Sequence, residues 1–531
     1  MKLQFLPQWL HIFLSHKFKY FEDNMFQNFQ LIVSQGELIR LRKIMNEIIF
    51  FESCNISAIN NLIGNPSLFH SIKIFRSCNL ISTLVFNERI VRSFTLSSVN
   101  QKRFNYPLPP SYWQFFENNG IQINKIMSCF WWLSNEIFNS CKQVFITLIK
   151  CFGSNQPQEI PPGSMLIFGL NEKVLTKTSE DEKCFEAWLR DNFKFGGNMY
   201  GLNLNNIDLR RSKIINASFI DLFDYRSGNL IKVFVQMIRF QLSIYEVGLT
   251  LRYFHEVYKC QFWNVKNSRN ITTFITIASE TWVKPAWFSQ VKLNDPRIIF
   301  INLSSSSSPK TSHEIEAVGW ERLNLWDEVW VLDDYQKQLF STRLINSKSK
   351  VTTMGCPFWT DNLKSFAELK DMGDYIAIFD FQPSRKFLGW SSLYDCGYFD
   401  SASILNYIRD ILVVSASLGK TCVLKSKRTA PRYLDSEYYQ GIENLRQEFD
   451  NFIYADAEIA PHRIIKDALV TISIPFTSTA IIASELGIPS LYYDPIGRVL
   501  PNDPSARTTR VVSGQTELCA ELYKLIPEKF L

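Results

Sequence analysis

The stretch SIPFTSTAIIASELGIPSLYYDP, residues 473–495, places three hydroxyl side chains where a strand is predicted to pass into a helix. Thr477, Ser478 and Thr479 follow the apolar run LVTISI, and Gly487 ends the helical pattern. A helix begins with unpaired N–H groups and partial positive charge, and these groups bind phosphate readily. A hydroxyl at this position also caps a helix without any ligand. Three in succession at a strand end favour a phosphate-binding turn over a simple cap.

Six more polar side chains stand at the ends of other predicted elements in the same part of the chain. They are Gln382, Arg385, Lys425, Lys427, Arg428 and His462. The first two follow the apolar run YIAIF, the three cations follow the run TCVL, and the histidine lies at a helix start. Ligands of open parallel sheets bind at the carboxyl ends of the strands, so fixed cations at that edge would complement a phosphate or diphosphate. A solvated basic turn and a structural histidine stay open as alternatives.

Two series of short apolar runs, each alternating with helical patterns, must position these residues. Such alternation predicts parallel sheets covered by helices on both faces. The first series is MLIFGL, ITTFITIA, RIIFIN, EVWVL and KVTTMG, and the second is YIAIF, TCVL, FIYA, LVTISI and SLYY. We therefore predict an α/β protein with two Rossmann-like domains, residues 160–356 and 374–531, that face each other across a cleft.

The first 155 residues are poor in glycine and proline and are predicted to form a mostly helical region. Residues 1–150 hold 15 Lys/Arg and 8 Asp/Glu, whereas the whole chain has a net charge of +6, so the basic excess belongs to this region. Residues 129–152 show apolar side chains at helical spacing, with tryptophans at one end. An amphipathic helix of this kind either lies in a membrane interface or packs on its own protein. The sequence has no run of about 18 uninterrupted apolar residues, the length that spans a bilayer.

Cysteine and histidine spacing argues against metal and disulfide sites. The eleven cysteines include no CxxC pair, and the six scattered histidines show no ligand spacing. This pattern is typical of reduced thiols in a cytoplasmic protein. The stretch SLGKT, residues 417–421, ends like a phosphate-binding P-loop, but Val414 stands where the first glycine is required. We expect neither a metal ion nor a bound cofactor.

The hydroxyl stretch resembles the signature of the polysaccharide biosynthesis proteins that are named for a PFTS motif. The match covers Pro475 to Ser478 and continues through ELGIP to YYDP, and the upstream stretches LKSKR and WDEVWVLDDYQK are similar to the same family. The resemblance spans residues 270–531 and is weaker over residues 160–270. That family is similar to the two-domain glycosyltransferases of GT-B architecture, with bacterial sialyltransferases and CDP-glycerol glycerophosphotransferases as distant relatives.

The resemblance implies roles for the hydroxyl side chains. In the distant relatives a Ser/Thr pair after a late strand binds the phosphate of the donor, which implies this role for Thr477, Ser478 and Thr479. Sialyltransferases carry a His-Pro pair where this chain reads KSKR, residues 425–428. This departure counts against a CMP-sialic acid donor.

An inverting sugar transfer requires a carboxylate or a histidine that removes the proton of the acceptor hydroxyl. The architecture implies that this base projects from the domain of residues 160–356. Glu280 follows ITTFITIA, with Trp282 and Trp287 nearby as candidate sugar-stacking faces, and Asp334 follows EVWVL. We expect Glu280 to be the base and Asp334 to be the second candidate. A carboxylate at a strand end also caps helices, and this alternative stays open for both.

Residues and resemblance together predict a metal-independent inverting glycosyltransferase of surface-polysaccharide or O-antigen assembly. Its partners would be a nucleotide-activated sugar and a saccharide or polyprenyl-linked acceptor, with no nucleic acid. It would be cytoplasmic and peripheral on the inner face of the plasma membrane. Two alternatives stay open: transfer of a polyol phosphate from a CDP-activated donor, and a non-catalytic membrane-associated scaffold of an assembly complex.

Overall fold

The computed structural model describes the chain in segments that include both series of predicted strands. The described residues are 35–62, 74–78, 80, 103–152, 158–169, 185–193, 196–202, 214–217, 219–223, 229–235, 253–261, 265–278, 284–288, 296–302, 325–344, 349–355, 374–383, 400–425, 435–455, 457, 459 and 461–526. The chain divides into two compact units. The first comprises Met1–Ile44, Arg89–Gln158 and Ile220–Asn264, and the second comprises Met45–Glu88, Glu159–Phe219 and Val265–Leu531.

A seven-stranded parallel sheet lies in the second unit. Its strands are β1 (Ser164–Phe168), β2 (Met199–Leu202), β3 (Ile214–Ala217), β4 (Ile271–Ala278), β5 (Arg297–Asn302), β6 (Glu328–Val331) and β7 (Lys350–Thr353). They pair in the order β3-β2-β1-β4-β5-β6-β7. Every pair is parallel. One face is apolar and contributes alternate residues of neighbouring strands, such as Ile275 and Ile277 of β4 and Ile299 and Ile301 of β5, to one core cluster.

A six-stranded parallel sheet follows in the same unit. Its strands are β8 (Tyr375–Phe379), β9 (Thr421–Lys425), β10 (Phe452–Ala455), β11 (Val470–Ser473), β12 (Ser490–Asp494) and β13 (Arg510–Ser513). Their order is β10-β9-β8-β11-β12-β13, and all pairs are parallel. β8 is buried throughout: Ile376 and Ile378 belong to one core cluster, and Tyr375 and Phe379 to another. Helices therefore cover both faces, which explains why the central strand β8 is a continuous apolar run.

The helices connect the strands and form most of the described part of the first 155 residues. They are α1 (Gln35–Leu62), α2 (Trp113–Asn118), α3 (Lys125–Phe152), α4 (Phe185–Asn192), α5 (Phe219–Leu222), α6 (Phe254–Gln261), α7 (Val265–Asn270), α8 (Asp334–Arg343), α9 (Ser401–Ser417), α10 (Ser436–Glu448), α11 (Pro461–Ile465), α12 (Ser478–Glu485) and α13 (Gly514–Leu525). Three begin at an aspartate whose carboxylate accepts an N–H of the first turn: Asp333 before α8, Asp400 before α9 and Asp435 before α10. No helix among these residues combines the length and the apolar composition that crossing a bilayer requires.

The predicted fold class is confirmed: two parallel α/β sheets follow a region whose described part is mostly helical. All ten predicted apolar runs form strands, and α9, α10, α11 and α12 lie between the strands of the second series, where alternating helical patterns are predicted. β2, β3 and β13 were not predicted. Each is only four residues long, and β3 and β13 are edge strands that do not need an apolar side chain at every position.

Candidate functional site

The turn that carries the PFTS residues has an unusual backbone. β11 ends at Ser473 and α12 begins at Ser478, and we call residues 474–479 the hydroxyl turn. Phe476 adopts φ +66°, in the left-handed region that bulky side chains avoid. Its ring is buried, and its centroid lies 5.4 Å from that of the Tyr492 ring. Packing of the ring therefore holds the backbone in a costly conformation, as is common at functional turns.

The hydroxyl groups of this turn form a chain with a defined direction. The Thr477 hydroxyl donates its single proton to the Ile474 carbonyl (2.9 Å), so it can only accept from the Thr479 hydroxyl at 3.1 Å. Thr479 has then donated its own proton and accepts from the Ser473 hydroxyl at 2.8 Å. Thr479 is buried and Thr477 is half-buried. Both threonine hydroxyls thus donate inside the protein, where they stabilise the turn.

Ser478 differs from the two threonines because its side chain is exposed. Thr477 is the N-cap residue of α12, yet its side chain makes no capping hydrogen bond to the first turn. The simple capping explanation for three hydroxyls therefore does not apply. The helix start and the Ser478 hydroxyl are the groups of this turn that are best placed to meet an anion.

Tyr492 of β12 supports the hydroxyl turn from the neighbouring strand. Its phenol donates to the Thr477 carbonyl at 3.0 Å. Burial raises the pKa of this phenol above its usual range, and the charges of Arg507, which lowers it, and Asp333, which raises it, act on the same group. A charged pair from two different parts of the chain therefore lies close to the turn.

That charged pair joins a residue that follows a strand of the seven-stranded sheet to a residue that precedes a strand of the six-stranded sheet. Asp333 follows β6, and its Oδ2 accepts from Nε of Arg507, which lies on the loop before β13. The Arg507 Nη1 donates to the Ser505 carbonyl (2.9 Å), and its guanidinium carbon lies 4.9 Å from the centroid of the Tyr335 ring. The Tyr335 and Ser505 hydroxyls are 2.8 Å apart. We call these four residues the sheet–sheet contact.

Arg507 is constrained by its backbone as well as by its partners. It adopts φ +57° without being glycine. Its Nη2 is buried, and no acceptor among the described residues lies within hydrogen-bond distance. Sequence reasoning named neither Arg507 nor its contacts with Tyr335 and Ser505, because the partners are about 170 residues apart and no local pattern links them.

Three other predicted residues are described: one follows β8, the neighbour of β11, and one ends β9, which pairs with β8 on its other side. Gln382 lies beyond β8 and is buried, and Lys425 is the buried last residue of β9, with its Nζ donating to the Ala457 carbonyl at 3.1 Å. Because β9, β8 and β11 are parallel neighbours, both residues lie at the sheet edge that carries the hydroxyl turn. His462 is nearly buried in α11, which follows β10. The structure thus gathers these predicted residues along one edge.

Of the two candidates for the catalytic base, the structure describes only Asp334. Asp334, the first residue of α8, is exposed, and its Oδ1 accepts from the Thr353 hydroxyl at 2.7 Å. Its neighbour Asp333 uses both oxygens, one on the Gln336 N–H and one on Arg507. Four predicted site residues and one tryptophan lie outside the described residues: Glu280, Arg385, Lys427, Arg428 and Trp282.

The expectation that Trp287 offers a sugar-stacking face is wrong. Its side chain is 1% exposed, and its ring stacks on the Phe288 ring with centroids 4.0 Å apart. Phe168 and Phe274 pack against it. The aromatic ring therefore belongs to the core beside β1 and β4.

Asp494, within the YYDP stretch, has a structural role. It is fully buried at the end of β12, and its carboxylate accepts three backbone N–H groups, from Ile496 (3.0 Å), Gly497 (2.9 Å) and Val499 (2.7 Å). A carboxylate that accepts three N–H groups within four residues fixes the loop that follows β12. This loop leads to the sheet–sheet contact.

Comparison with known proteins adds one family match. Residues 245–522, just over half of the chain, match the family model described as polysaccharide biosynthesis PFTS motif protein. No curated protein sequence matches the chain.

Similar solved structures include the glycotransferase of kitacinnamycin, with 9% identity over 69% of this chain and 91% of that chain and a TM-score of 0.36. The Anabaena protein HepE in complex with UDP and glucose has 9% identity over 69% of this chain and 90% of that chain, with a TM-score of 0.38. A Medicago truncatula protein complexed with UDP-glucose has 8% identity over 62% of this chain and 80% of that chain, with a TM-score of 0.33.

Proposed function

The chain belongs to the polysaccharide biosynthesis PFTS motif protein family, and on that premise we propose that it is an inverting glycosyltransferase of GT-B type. It would transfer a sugar from a nucleotide-activated donor to a saccharide or polyprenyl-linked acceptor during assembly of a surface polysaccharide or O-antigen. The bond between the anomeric carbon and the donor phosphate breaks. A bond from that carbon to the acceptor oxygen forms, the acceptor proton passes to a base, and the nucleotide leaves with its phosphate.

The observation that carries the proposal is the hydroxyl turn at the carboxyl edge of the six-stranded sheet. An uncapped helix start, an exposed Ser478 hydroxyl and a backbone held rigid by Phe476 stand there together. Donors that are fixed before the ligand arrives stabilise negative charge without reorganisation. This arrangement suits the phosphates of a nucleotide sugar, which gain charge as the sugar departs.

Gln382, Lys425 and His462 support the same role because they border that edge. We propose that they, with Arg385, Lys427 and Arg428, surround the nucleotide and that no metal ion takes part. Thr477 and Thr479 would act mainly by holding the turn, since their protons are donated inside the protein.

Glu280 remains our first candidate for the base and Asp334 the second. Asp334 suits this role better than Asp333, because both oxygens of Asp333 are already occupied by the Gln336 N–H and by Arg507. The bond from Thr353 would orient one Asp334 oxygen while the side chain stays accessible.

A thermal-shift screen against CMP, CDP, UDP, GDP and dTDP tests the donor class. A nucleotide that binds the folded state raises the melting temperature in proportion to the logarithm of its concentration. We expect one nucleotide to stabilise the protein clearly more than the others. If all five leave the melting temperature unchanged at concentrations typical of nucleotide-sugar pools, the proposal fails.

Phosphorus NMR of the reaction product then separates two kinds of transfer. A glycosyltransferase leaves no phosphorus in the new linkage, whereas transfer of a polyol phosphate from a CDP-activated donor leaves a phosphodiester. We expect no product phosphodiester signal. We also propose that the protein works in the cytoplasm on the inner face of the plasma membrane, where a polyprenyl-linked acceptor is presented.

A further inference from the structure

Helix α3, which belongs to the first unit, packs against the rest of that unit through an unusually polar stripe. The residues of this stripe recur every four positions, with one interval of seven, and are buried: Ser128, Trp132, Glu136, Ser140, Thr147 and Cys151. The Ser128 hydroxyl donates to the Tyr106 carbonyl at 2.7 Å and accepts from the Leu108 N–H at 3.2 Å. Thr147 Oγ1 lies 2.9 Å from Nδ1 of His255 on α6. Specific hydrogen bonds therefore fix which side of α3 faces the protein.

The opposite side of α3 is apolar and exposed, and we call it the outward face. Its large side chains are Ile126, Met127, Phe130, Trp131, Leu133, Ile137, Phe138, Phe145 and Ile149. They are nine of the eighteen exposed large apolar side chains in the described part of the chain. Ile126 is 81% exposed, Phe138 65% and Ile137 61%. A water-facing helix normally shows the reverse pattern, so this face is built to contact something apolar.

The charges of α3 indicate what that contact is. Lys142 is exposed, and Lys125 is exposed but pairs with Glu117 at 3.0 Å, whereas Glu136, the only acidic residue of the helix, is 1% exposed and lies in the inward stripe. In the sequence, residues 1–150, which include most of α3, carry an excess of seven positive charges. An apolar, aromatic face that carries no carboxylate and is bordered by the exposed Lys142 is complementary to a bilayer with anionic headgroups. A second copy of the same helix would offer Lys142 no exposed acidic partner, because Glu136 is buried.

We propose that α3 lies in the plane of an anionic lipid bilayer, with its outward face buried among the headgroups and upper acyl chains. This inference deepens, and rests on, the membrane association proposed above, because it names the surface and the lipid charge. Under this inference both alternatives left open by the sequence hold: the helix packs on its own protein with its polar side and offers its apolar side to the membrane.

Flotation of the full chain with vesicles tests this inference. The probes are vesicles of phosphatidylcholine alone and vesicles of phosphatidylcholine mixed with phosphatidylglycerol. The variant Phe130→Gln/Ile137→Gln/Phe138→Gln removes the centre of the outward face, and we expect its binding to fall at least about tenfold. Since all three side chains are exposed, circular dichroism should show an unchanged fold.

The matched control removes the same number of exposed apolar side chains from the second unit. Val413→Gln/Leu500→Gln/Tyr523→Gln changes three exposed positions there, and we expect its binding to equal that of the wild type. Lys142→Gln should weaken binding about fivefold, and only on vesicles that contain phosphatidylglycerol. A wild-type chain that does not float with these vesicles overturns the inference, as does an equal loss in the two triple variants.

Sedimentation velocity distinguishes a membrane from a second copy of the chain as the partner of the outward face. If the wild type is a dimer that the outward-face variant converts into a monomer, a second copy covers this face and the inference is wrong. Nucleotide binding measured on the same samples keeps the proposals separate. Vesicle binding without nucleotide binding contradicts the transferase proposal, and nucleotide binding without vesicle binding contradicts only the membrane inference.

Discussion

The sheet–sheet contact should stabilise the second unit more than an ordinary surface ion pair does. The side chains of Arg507 and Asp333 are only 13% and 23% exposed, and the guanidinium also covers the Tyr335 ring. Breaking a fully buried pair costs about 3–5 kcal/mol, and an exposed pair contributes about 0.2–1 kcal/mol. For this partly buried pair we expect a coupling free energy of about 2 kcal/mol, near the value for hydrogen bonds to charged groups.

A double-mutant cycle with Asp333→Asn and Arg507→Met measures that coupling. Asparagine can still accept the Gln336 N–H as the cap of α8, and methionine keeps an apolar stem against Tyr335, so each variant removes mainly the ionic bond. The free energy of unfolding would be obtained from urea denaturation followed by tryptophan fluorescence.

The exposed pair Arg409–Glu448 is the matched control for this cycle. Both side chains are 45% exposed, and the two arginine nitrogens bind the two carboxylate oxygens. We expect a coupling of about 0.5 kcal/mol for the corresponding Met and Gln variants. If the coupling of Asp333 and Arg507 is no larger than that of the control, the view that this contact ties the two sheets together is refuted.

Three further predictions concern stability. Asp494→Ala should lower the free energy of unfolding by about 3 kcal/mol because three backbone N–H groups lose their acceptor, and Asp494→Asn, which keeps one carbonyl oxygen, should cost less in the same urea titration. Burial, together with Lys259 and Lys150, lowers the pKa of one histidine, His255, to about 2, so the unfolded chain binds a proton below pH 6.5 that the folded chain does not. Stability should therefore fall by about 2 kcal/mol from about pH 7 to about pH 5, and this part of the slope should vanish in His255→Gln. Gly169→Ala should lower the melting temperature far more than Gly419→Ala. Both glycines have positive φ, but a Cβ at Gly169 would lie 1.9 Å from a backbone oxygen, whereas a Cβ at Gly419 would meet open space.

The fold follows from the sequence where burial demands it. β8 is buried along its whole length, so its sequence is an unbroken apolar run between turn residues and was readily predicted. β11 is also fully buried, and the apolar Val470 and Ile472 alternating with small hydroxyl residues made it recognisable. β2 contains Gly201, and β13 begins with an exposed arginine, so neither shows the apolar run or the strict alternation from which strands are predicted.

The candidate site follows from the sequence only in part. The position of the hydroxyl turn could be predicted because a strand, three hydroxyls and a helix are local features. The different roles of its three hydroxyl groups could not be predicted, because the direction of the hydrogen-bond chain depends on Ser473 and on the Ile474 carbonyl. The positive φ of Phe476 has no local signal either, because phenylalanine is not a residue that favours that region. Tertiary packing decides both.

The central claim is tested most directly by calorimetric titration of the nucleotide that stabilises the wild type most in the thermal-shift screen. It is titrated into the wild type, Ser478→Ala and Ser484→Ala. Ser484 is an exposed serine near the other end of α12, so its variant removes the same group from the same helix. If the hydroxyl turn holds the donor phosphate, the affinity of this nucleotide falls about tenfold in Ser478→Ala through loss of a charge-assisted hydrogen bond, and Ser484→Ala leaves it unchanged. Equal affinities in all three proteins would contradict the account.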